Sequence, residues 1–565
     1  MSGEIAANSS QASPDPVTVE VIRNALNSAA DEMGVMLARS AYTPIIHEMK
    51  DYSVAIFNSD CELLGQAPGL PSFLGALEDA VKAILVDYPK KSMAPRDAFL
   101  INDPYLVGSH LNDVTVMTPA FFGEELVGFA ASKAHWLDVG AKEPSQTMSA
   151  VEIFEEGFRL GPTRIMRRGR LNAEVMGFLQ RNSRLPTSLK GDFFAQLAAC
   201  RTGEARLASL LQRFGREVVE SASHAIFEQC ERLDRAVVAS LPDGTWQAEG
   251  FMDDDGHGRD PVLVRLRVTI TGSDLYMDLD GSADQTSGCM NCGFSQTVSS
   301  ARLAFKFLIN PDVTPSGGSF KCLHVSAPPG SLFAAREPAA CQYYGAHQGL
   351  MIDLFIKLMA GVMPHMATGA QCADAMNVFL TGRPKGARPT WVVGEATAVG
   401  WGASKEKDGH TGITYGGGDL KNFPVEVVES QYPVRIHGYG LVPDTGGAGK
   451  RRGGLAIFRA YEVLEDDTEV SLWFERSVTG PWGIFGGLSG CTPQVQLRMP
   501  GHRELTALKC SHIVAPAGSA LRIQTGGGGG YGEPRERERE LVSRDVSEGY
   551  VSEAAAVELY GYQTP

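Results

Sequence analysis

Two strand-like runs, Val114–Thr118 (VTVMT) and Leu126–Ser132 (LVGFAAS), flank a polar turn around Gly123-Glu124-Glu125. An antiparallel hairpin fixes which residues face each other, because opposed positions have numbers that sum to a constant. A turn centred near 124 sets Asp113 opposite His135 across the open end of the hairpin, with His110 just beyond. Both positions lie in polar clusters. Asn102-Asp103-Pro104-Tyr105 leads into Gly108-Ser109-His110-Leu111-Asn112-Asp113, and the second strand runs out through Ala134-His135-Trp136-Leu137-Asp138-Val139-Gly140. Two imidazoles and a carboxylate converging there form a mixed N/O set suited to Zn²⁺, Mn²⁺ or Fe²⁺, with positions left for water or substrate. Spacing alone does not decide the matter: a His-x-x-Asp pair recurs by chance, and a lone histidine is more often structural than a ligand.

Around this hairpin the chain reads as mixed α/β. Asp15-Pro16 forms an N-cap with proline in the first turn, after a small polar segment (1–15) expected to be disordered. Ile22, Leu26, Ala29, Met33 and Leu37 then recur at helical spacing to about Arg39. Tyr52–Phe57 reads as a strand, Leu77–Tyr88 as a helix, and residues 171–240 as helix-rich, closing the first region (16–244) at Pro242-Asp243-Gly244. A second region, 245–385, alternates like strands and then carries helices near 297–308 and 346–363. The third, 386–565, is glycine-rich with short strands; its Arg/Glu run at 535–540 reads as a solvated segment.

Composition excludes some partners. A net charge of -15 over 565 residues provides no basic field for nucleic acid or an anionic membrane. No stretch approaches the roughly 18 apolar residues of a spanning helix. The N-terminus lacks the cationic start and apolar core of a signal peptide. Ten cysteines scattered over so long a chain point to reduced thiols, and the expected location is cytoplasmic. Cys289 and Cys292 form a lone CxxC, for which buried thiols are the default. Gly526–Gly530 is no phosphate loop, since no Gly-Lys-Ser/Thr follows it. His324, His347 and His365 have no ligand-spaced companions and read as structural or surface residues.

The motifs, in order, resemble those of the hydantoinase B/oxoprolinase B family. NDPYLVGSHLND is similar to its NDPY-x-GG-x-H-x-x-D segment, and AHWLDVG to A-H-H-x-D-x-G. Lys50-Asp51-Tyr52-Ser53 is similar to E-R-x-D-F-S, Glu155-Glu156-Gly157-Phe158-Arg159 to Q-E-G-L-R, and Asp444–Gly449 with Arg451–Gly454 to D-S-G-G-A-G-x-x-R-G-G. Further glycine motifs match at Arg476–Gly487 and Thr525–Glu533. The resemblance implies a large hydantoinase B-like fold, with a β-rich, glycine-rich C-terminal half. It implies a divalent metal (Zn or Mn, or Fe) on His110, Asp113 and His135, with Asp51 as a weaker fourth ligand. Asp138, Glu156 and Arg159 become catalytic, supporting or substrate-binding candidates, with fold-stabilising ion pairs the equal alternative. The implied partner is a hydantoinase A-type subunit that holds ATP and Mg²⁺, in a hetero-oligomer of the dimer-of-heterodimers kind.

The implied reaction is ATP-dependent opening of a cyclic amide such as hydantoin, 5-oxoproline or a lactam. The partner phosphorylates the amide oxygen, and hydroxide generated at this chain's metal attacks. The alternative is a ketone carboxylase of the acetone or acetophenone type, on the same scaffold. Two departures keep it open. Gly69-Leu70-Pro71-Ser72-Phe73-Leu74-Gly75 stands where the family has H-I-P-V-H-L-G, and Trp136 replaces the second histidine of A-H-H. These changes remove expected proton carriers or ligands near the site.

Overall fold

The computed structural model describes residues 15–258, 260–383, 390–418 and 420–563; the segment before Asp15 and the expected boundary at 385 lie outside them. Asp15 caps the first helix, Pro16–Ser40, accepting hydrogen bonds from the Val17 and Thr18 amides. The predicted stripe of Ile22, Leu26, Ala29, Met33 and Leu37 is the face that it buries.

The hairpin lies inside a seven-stranded sheet. Its strands are β1 (Tyr52–Asn58), β2 (Leu63–Gln66), β3 (Ala98–Ile101), β4 (Asp113–Phe122), β5 (Glu125–His135), β6 (Thr163–Arg167) and β7 (Arg170–Leu171). They are ordered β2-β1-β5-β4-β3-β6-β7 and every pairing is antiparallel. Helices Pro16–Ser40 and Pro186–Phe214 cover one face, and helix Pro71–Asp87 the other. Val114, Val116, Ala130 and Ala134 join the core on the first face, whereas Met117, Phe129 and Ala131 pack with Leu77, Val81 and Ile84 on the second. A sheet covered on both faces needs near-continuous apolar strands, which is why this hairpin shows little alternation.

The 245–285 segment does alternate. Gly244–Met252, Val262–Thr271 and Asp274–Asp278 form a four-stranded sheet with Leu323–Ser326, and Val262–Thr271 is buried at every second residue. Helix Gly345–Met359 packs on this sheet and against helix Phe294–Leu308. Two further four-stranded sheets are built mainly from the glycine-rich third, one of them with Asn377–Gly382 from the second region. One apolar cluster extends from Val19 to Ile523, so the three regions share a core.

The Gly526–Gly530 run serves close backbone packing. A Cβ on Gly528 would lie 1.9 Å from the Trp401 carbonyl oxygen, and one on Gly529 would lie 2.0 Å from that of Trp482. Gly528 N–H donates to Gly454 O, and Gly447 N–H to Gly528 O, so neighbouring glycine segments are hydrogen-bonded backbone to backbone.

The Arg/Glu run departs from expectation. Arg537 is buried and pairs with Asp408 and Asp545, while most of its charged neighbours remain in solvent. Periodicity cannot show this, because the partners lie far away in sequence or on the following helix, Arg539–Ser547.

Candidate metal centre

The register of β4 and β5 pairs Asp113 with His135, as the turn position predicts. Ser109 at φ 59 turns the chain so that His110 reaches the same point. Asp113 Oδ1 lies 3.0 Å from His110 Nε2 and 3.2 Å from His135 Nδ1, and the two nitrogens are 3.2 Å apart. Donors on one tetrahedral ion with bonds of about 2.1 Å stand about 3.4 Å apart. The triangle therefore needs to open by only tenths of an ångström to hold a cation. Among the described residues this is the one His/Cys/Asp/Glu cluster of such geometry.

Asp51 arrives through topology. Strand β1 pairs with β5, Tyr52 lies opposite Ala134, and the His135 amide donates to the Asp51 carbonyl. Its carboxylate stands one step out, with Oδ2 4.0 Å from His135 Nδ1. Asp51 Oδ1 and His135 Nε2 are buried without a hydrogen-bond partner among the described residues. Buried polar atoms are rarely left so; the unmet Asp51 oxygen fits a cation or its bound water, whereas His135 Nε2 is the ring nitrogen outside the triangle that Nδ1 joins.

The hairpin's open end is covered, not exposed: His110, Asp113 and His135 are all buried. Burial alone would raise the Asp113 carboxyl, but the two imidazoles, His110 foremost, hold it below the usual carboxylate range. Burial pushes Asp51 up to about 7, with His135 acting against the shift. It also brings Lys133 down to about 8. The Lys133 ammonium donates to Val107 O and Ser109 Oγ, behind the turn that carries His110.

Residues 230 positions away complete the shell. The Gln342 side-chain amide is in hydrogen-bond contact with His110 Nδ1, and the Tyr344 hydroxyl donates to Asp113 Oδ2 at 3.1 Å. Glu156 lies beneath them, its Oε1 accepting from the Cys341 and Gln342 amides at 2.7 Å. Sequence reading missed Gln342 and Tyr344, since no motif marks Cys341-Gln342-Tyr343-Tyr344. Lys133 did leave a signal, a lone charge near the end of an apolar strand.

The other candidates stand apart from the cluster. Asp138 pairs with the Arg184 guanidinium at 2.9 Å and accepts from the Ser183 hydroxyl. Arg159 pairs with Glu337 and Asp103. Asn102, in the first motif, clamps two loops through Leu111 O, Phe158 O and the Leu160 amide. Cys289 and Cys292 are buried, free thiols.

The departures have local causes. Trp136 turns away from His135, its indole N–H donating to Gln196 Oε1 at 2.7 Å. At Gly69 a Cβ would meet the Tyr52 carbonyl oxygen at 2.8 Å. Phe73 is buried, with the Lys133 ammonium 5.7 Å from its ring centroid.

A cavity of about 70 Å³ reaches the cluster through Asp51, Gln342 and Tyr344, with Leu70, Phe379 and Tyr415 among its walls. A larger cleft of about 640 Å³ shares the segment around residue 70, but none of the three ligands line it. The smaller cavity is the one that bears on the chemistry, because it touches the side chains that hold the cluster.

Comparison with known proteins agrees with the motif series. Residues 15–534 match the family described as Hydantoinase B/oxoprolinase. A putative D-/L-hydantoinase B-type polypeptide of Pseudomonas sp. (strain NS671) is 30% identical over 565 aligned positions, covering 97% of this chain and 95% of that protein. The crystal structure of an ATP-dependent caprolactamase from Pseudomonas jessenii aligns with a TM-score of 0.89 at 26% identity, over 98% of this chain and 97% of that one. Nucleotide-free acetone carboxylase shares the fold, with a TM-score of 0.87 at 17% identity over 97% of this chain and 79% of that one.

Proposed function

This chain belongs to the hydantoinase B/oxoprolinase family, and from that premise we propose that it is the metal-binding catalytic subunit of an ATP-dependent cyclic amide hydrolase. Its partner in this reading is a hydantoinase A-type subunit that holds ATP and Mg²⁺, assembled as a dimer of heterodimers. The observation that carries the reading is the buried His110, Asp113 and His135 triangle beside a small, partly open cavity.

A divalent cation on these three residues, with Asp51 as candidate fourth ligand, supplies Lewis acidity and lowers the pKa of water toward about 7 in the best zinc cases. The chain's own groups do the rest. Tyr344 fixes one Asp113 oxygen, so that the other faces both imidazoles. Gln342 orients His110, and Glu156 orients Gln342 through its backbone. Such supporting contacts set ligand geometry and strength. Apolar walls from Ile45, Met49, Leu70 and Phe379 keep bulk water from the ring. Asp51 Oδ1, buried and unpartnered among the described residues beside the cluster, is placed to pass a proton between water and the departing ring nitrogen. Asp138 and Arg159 act at a distance, holding the loops around 138–142 and 159 through their ion pairs.

The carboxylase alternative shares the scaffold, as the fold common with acetone carboxylase reflects, and Trp136, engaged with Gln196, gives no ligand to the cluster in either reading. The deciding experiment incubates the purified two-subunit complex with ATP and a ring amide, with and without labelled bicarbonate. Ring-opened product with ADP and no incorporated label is expected. Label in the product instead establishes a carboxylase.

A further inference from the structure

Resting on the cyclic-amide reading, we propose that Tyr415 is a further catalytic residue, whose hydroxyl donates to the exocyclic oxygen of a ring amide bound in the cavity beside the triangle. Three phenols line that cavity, those of Tyr343, Tyr344 and Tyr415. The Tyr343 hydroxyl donates to Asp374 Oδ1 and the Tyr344 hydroxyl to Asp113 Oδ2, so both are engaged within the protein. Tyr415 is buried as they are, yet its hydroxyl has no hydrogen-bond partner among the described residues. Burial, with the carboxylates of Asp374, Asp51 and Asp113 adding to it, pushes the ionisation of this phenol well above its ordinary range. The group therefore keeps its proton and meets a ligand oxygen as a donor.

The loop that carries Tyr415 is fixed at both ends. The Trp401 indole donates to Thr414 O, Gly416 N–H to Gln371 Oε1, and Gly418 N–H to Tyr415 O. The same loop is tied to the first region, because Ser72 N–H donates to Gly417 O and Lys421 N–H to Met49 O, just before Asp51. A Cβ on Gly345 would lie 3.2 Å from the Tyr415 hydroxyl oxygen. Gly345 directly follows Tyr344, so the free hydroxyl lies beside the segment whose tyrosine holds Asp113. The Gln146 and Asn377 amides line the cavity too and can meet other acceptors of a ligand, but a phenol is the more acidic donor. A hydrogen bond from it to the ring's oxygen draws electron density from the neighbouring carbon, the atom that water attacks, and the proton stays on the tyrosine.

The test is Tyr415→Phe, which removes only the hydroxyl oxygen. The purified two-subunit complex is assayed with ATP and either 2-pyrrolidinone or hydantoin, and metal content and thermal melts are measured on the same samples. We expect kcat/KM for ring opening to fall about 10²-fold, as for loss of one donor to a reacting oxygen, with metal content unchanged. The melting temperature should stay level or rise, because a buried hydroxyl without a partner costs the fold free energy that a phenylalanine does not. Wild-type turnover by Tyr415→Phe overturns the proposal and leaves the metal reading intact. Loss of turnover together with earlier melting or loss of metal also overturns it, since the hydroxyl would then be structural. A wild-type complex that opens neither ring removes the functional reading, and this proposal with it.

Discussion

The proposed chemistry rests on three side chains at the hairpin's end, and their burial changes what a substitution there should do. A hairpin's open end suggests solvent, from which His135 could be removed at little cost. His135 is instead buried against Asp113, whose carboxylate relies on the two imidazoles. Deleting the ring strands a buried acceptor, which costs about 1–3 kcal/mol. His135→Ala should therefore lose metal and melt earlier, whereas His135→Gln should lose metal while keeping a polar contact and most of its stability. Elemental analysis and thermal melts of the two variants check this; full metal occupancy in either one removes His135 from the site. Turn arithmetic made Asp113 opposite His135 legible in the sequence. It could not reveal Gln342 or Tyr344, because contacts across more than 200 residues leave no local period.

Elements explain why Asp51 reaches the cluster. Its strand β1 follows a short helix, Pro44–His47, whose N-terminus is docked by a residue on the long helix Pro186–Phe214. Asp192 accepts from the Tyr42 and Thr43 amides and from the Thr43 hydroxyl. Burial pushes its carboxyl from 3.8 up to about 6, with those hydrogen bonds acting against the shift. The folded state therefore holds this proton more tightly than the unfolded chain. The contribution is present below about pH 4 and is lost as pH rises through about 6. At about 1.36 kcal/mol per unit the fall is on the order of 3 kcal/mol. Urea midpoints of the wild type relative to Asp192→Asn should drop across that window, and a flat difference contradicts the assignment. Strands and helices with clear periods, such as Pro16–Ser40 and Val262–Thr271, were readable from sequence. Helix Pro71–Asp87 begins earlier than its predicted Leu77, because Pro71 can open a first turn without an amide to satisfy.

At the scale of the whole molecule, the chain's end is fastened to its glycine-rich third. No helix among the described residues is long and apolar enough to cross a membrane, and the three regions hold together through a shared core. The closing segment is joined to that body by charge as well. Arg537 spans Asp408, the Lys450 carbonyl and Asp545, and Arg452 lies 3.5 Å from the same Asp545. Behind it Val542, Val551, Ala556 and Tyr560 form a separate apolar cluster with Ala448. The sequence showed only alternating charges at 535–540, because burial of one arginine among them depends on partners that the fold supplies. Removing one member of a buried ion pair costs about 3–5 kcal/mol, since the carboxylates left behind stay buried and unpaired. Arg537→Met keeps the aliphatic stem and removes the charge, so the loss it causes reports on pairing. Limited proteolysis should then cut the variant between the glycine-rich region and residue 563, at protease levels that leave the wild type whole. Metal content should not change, because every candidate ligand lies between residues 51 and 135. Loss of metal together with the clamp would mean that the two are coupled through the shared core. An uncut variant of wild-type stability would show that the apolar cluster alone holds the end of the chain.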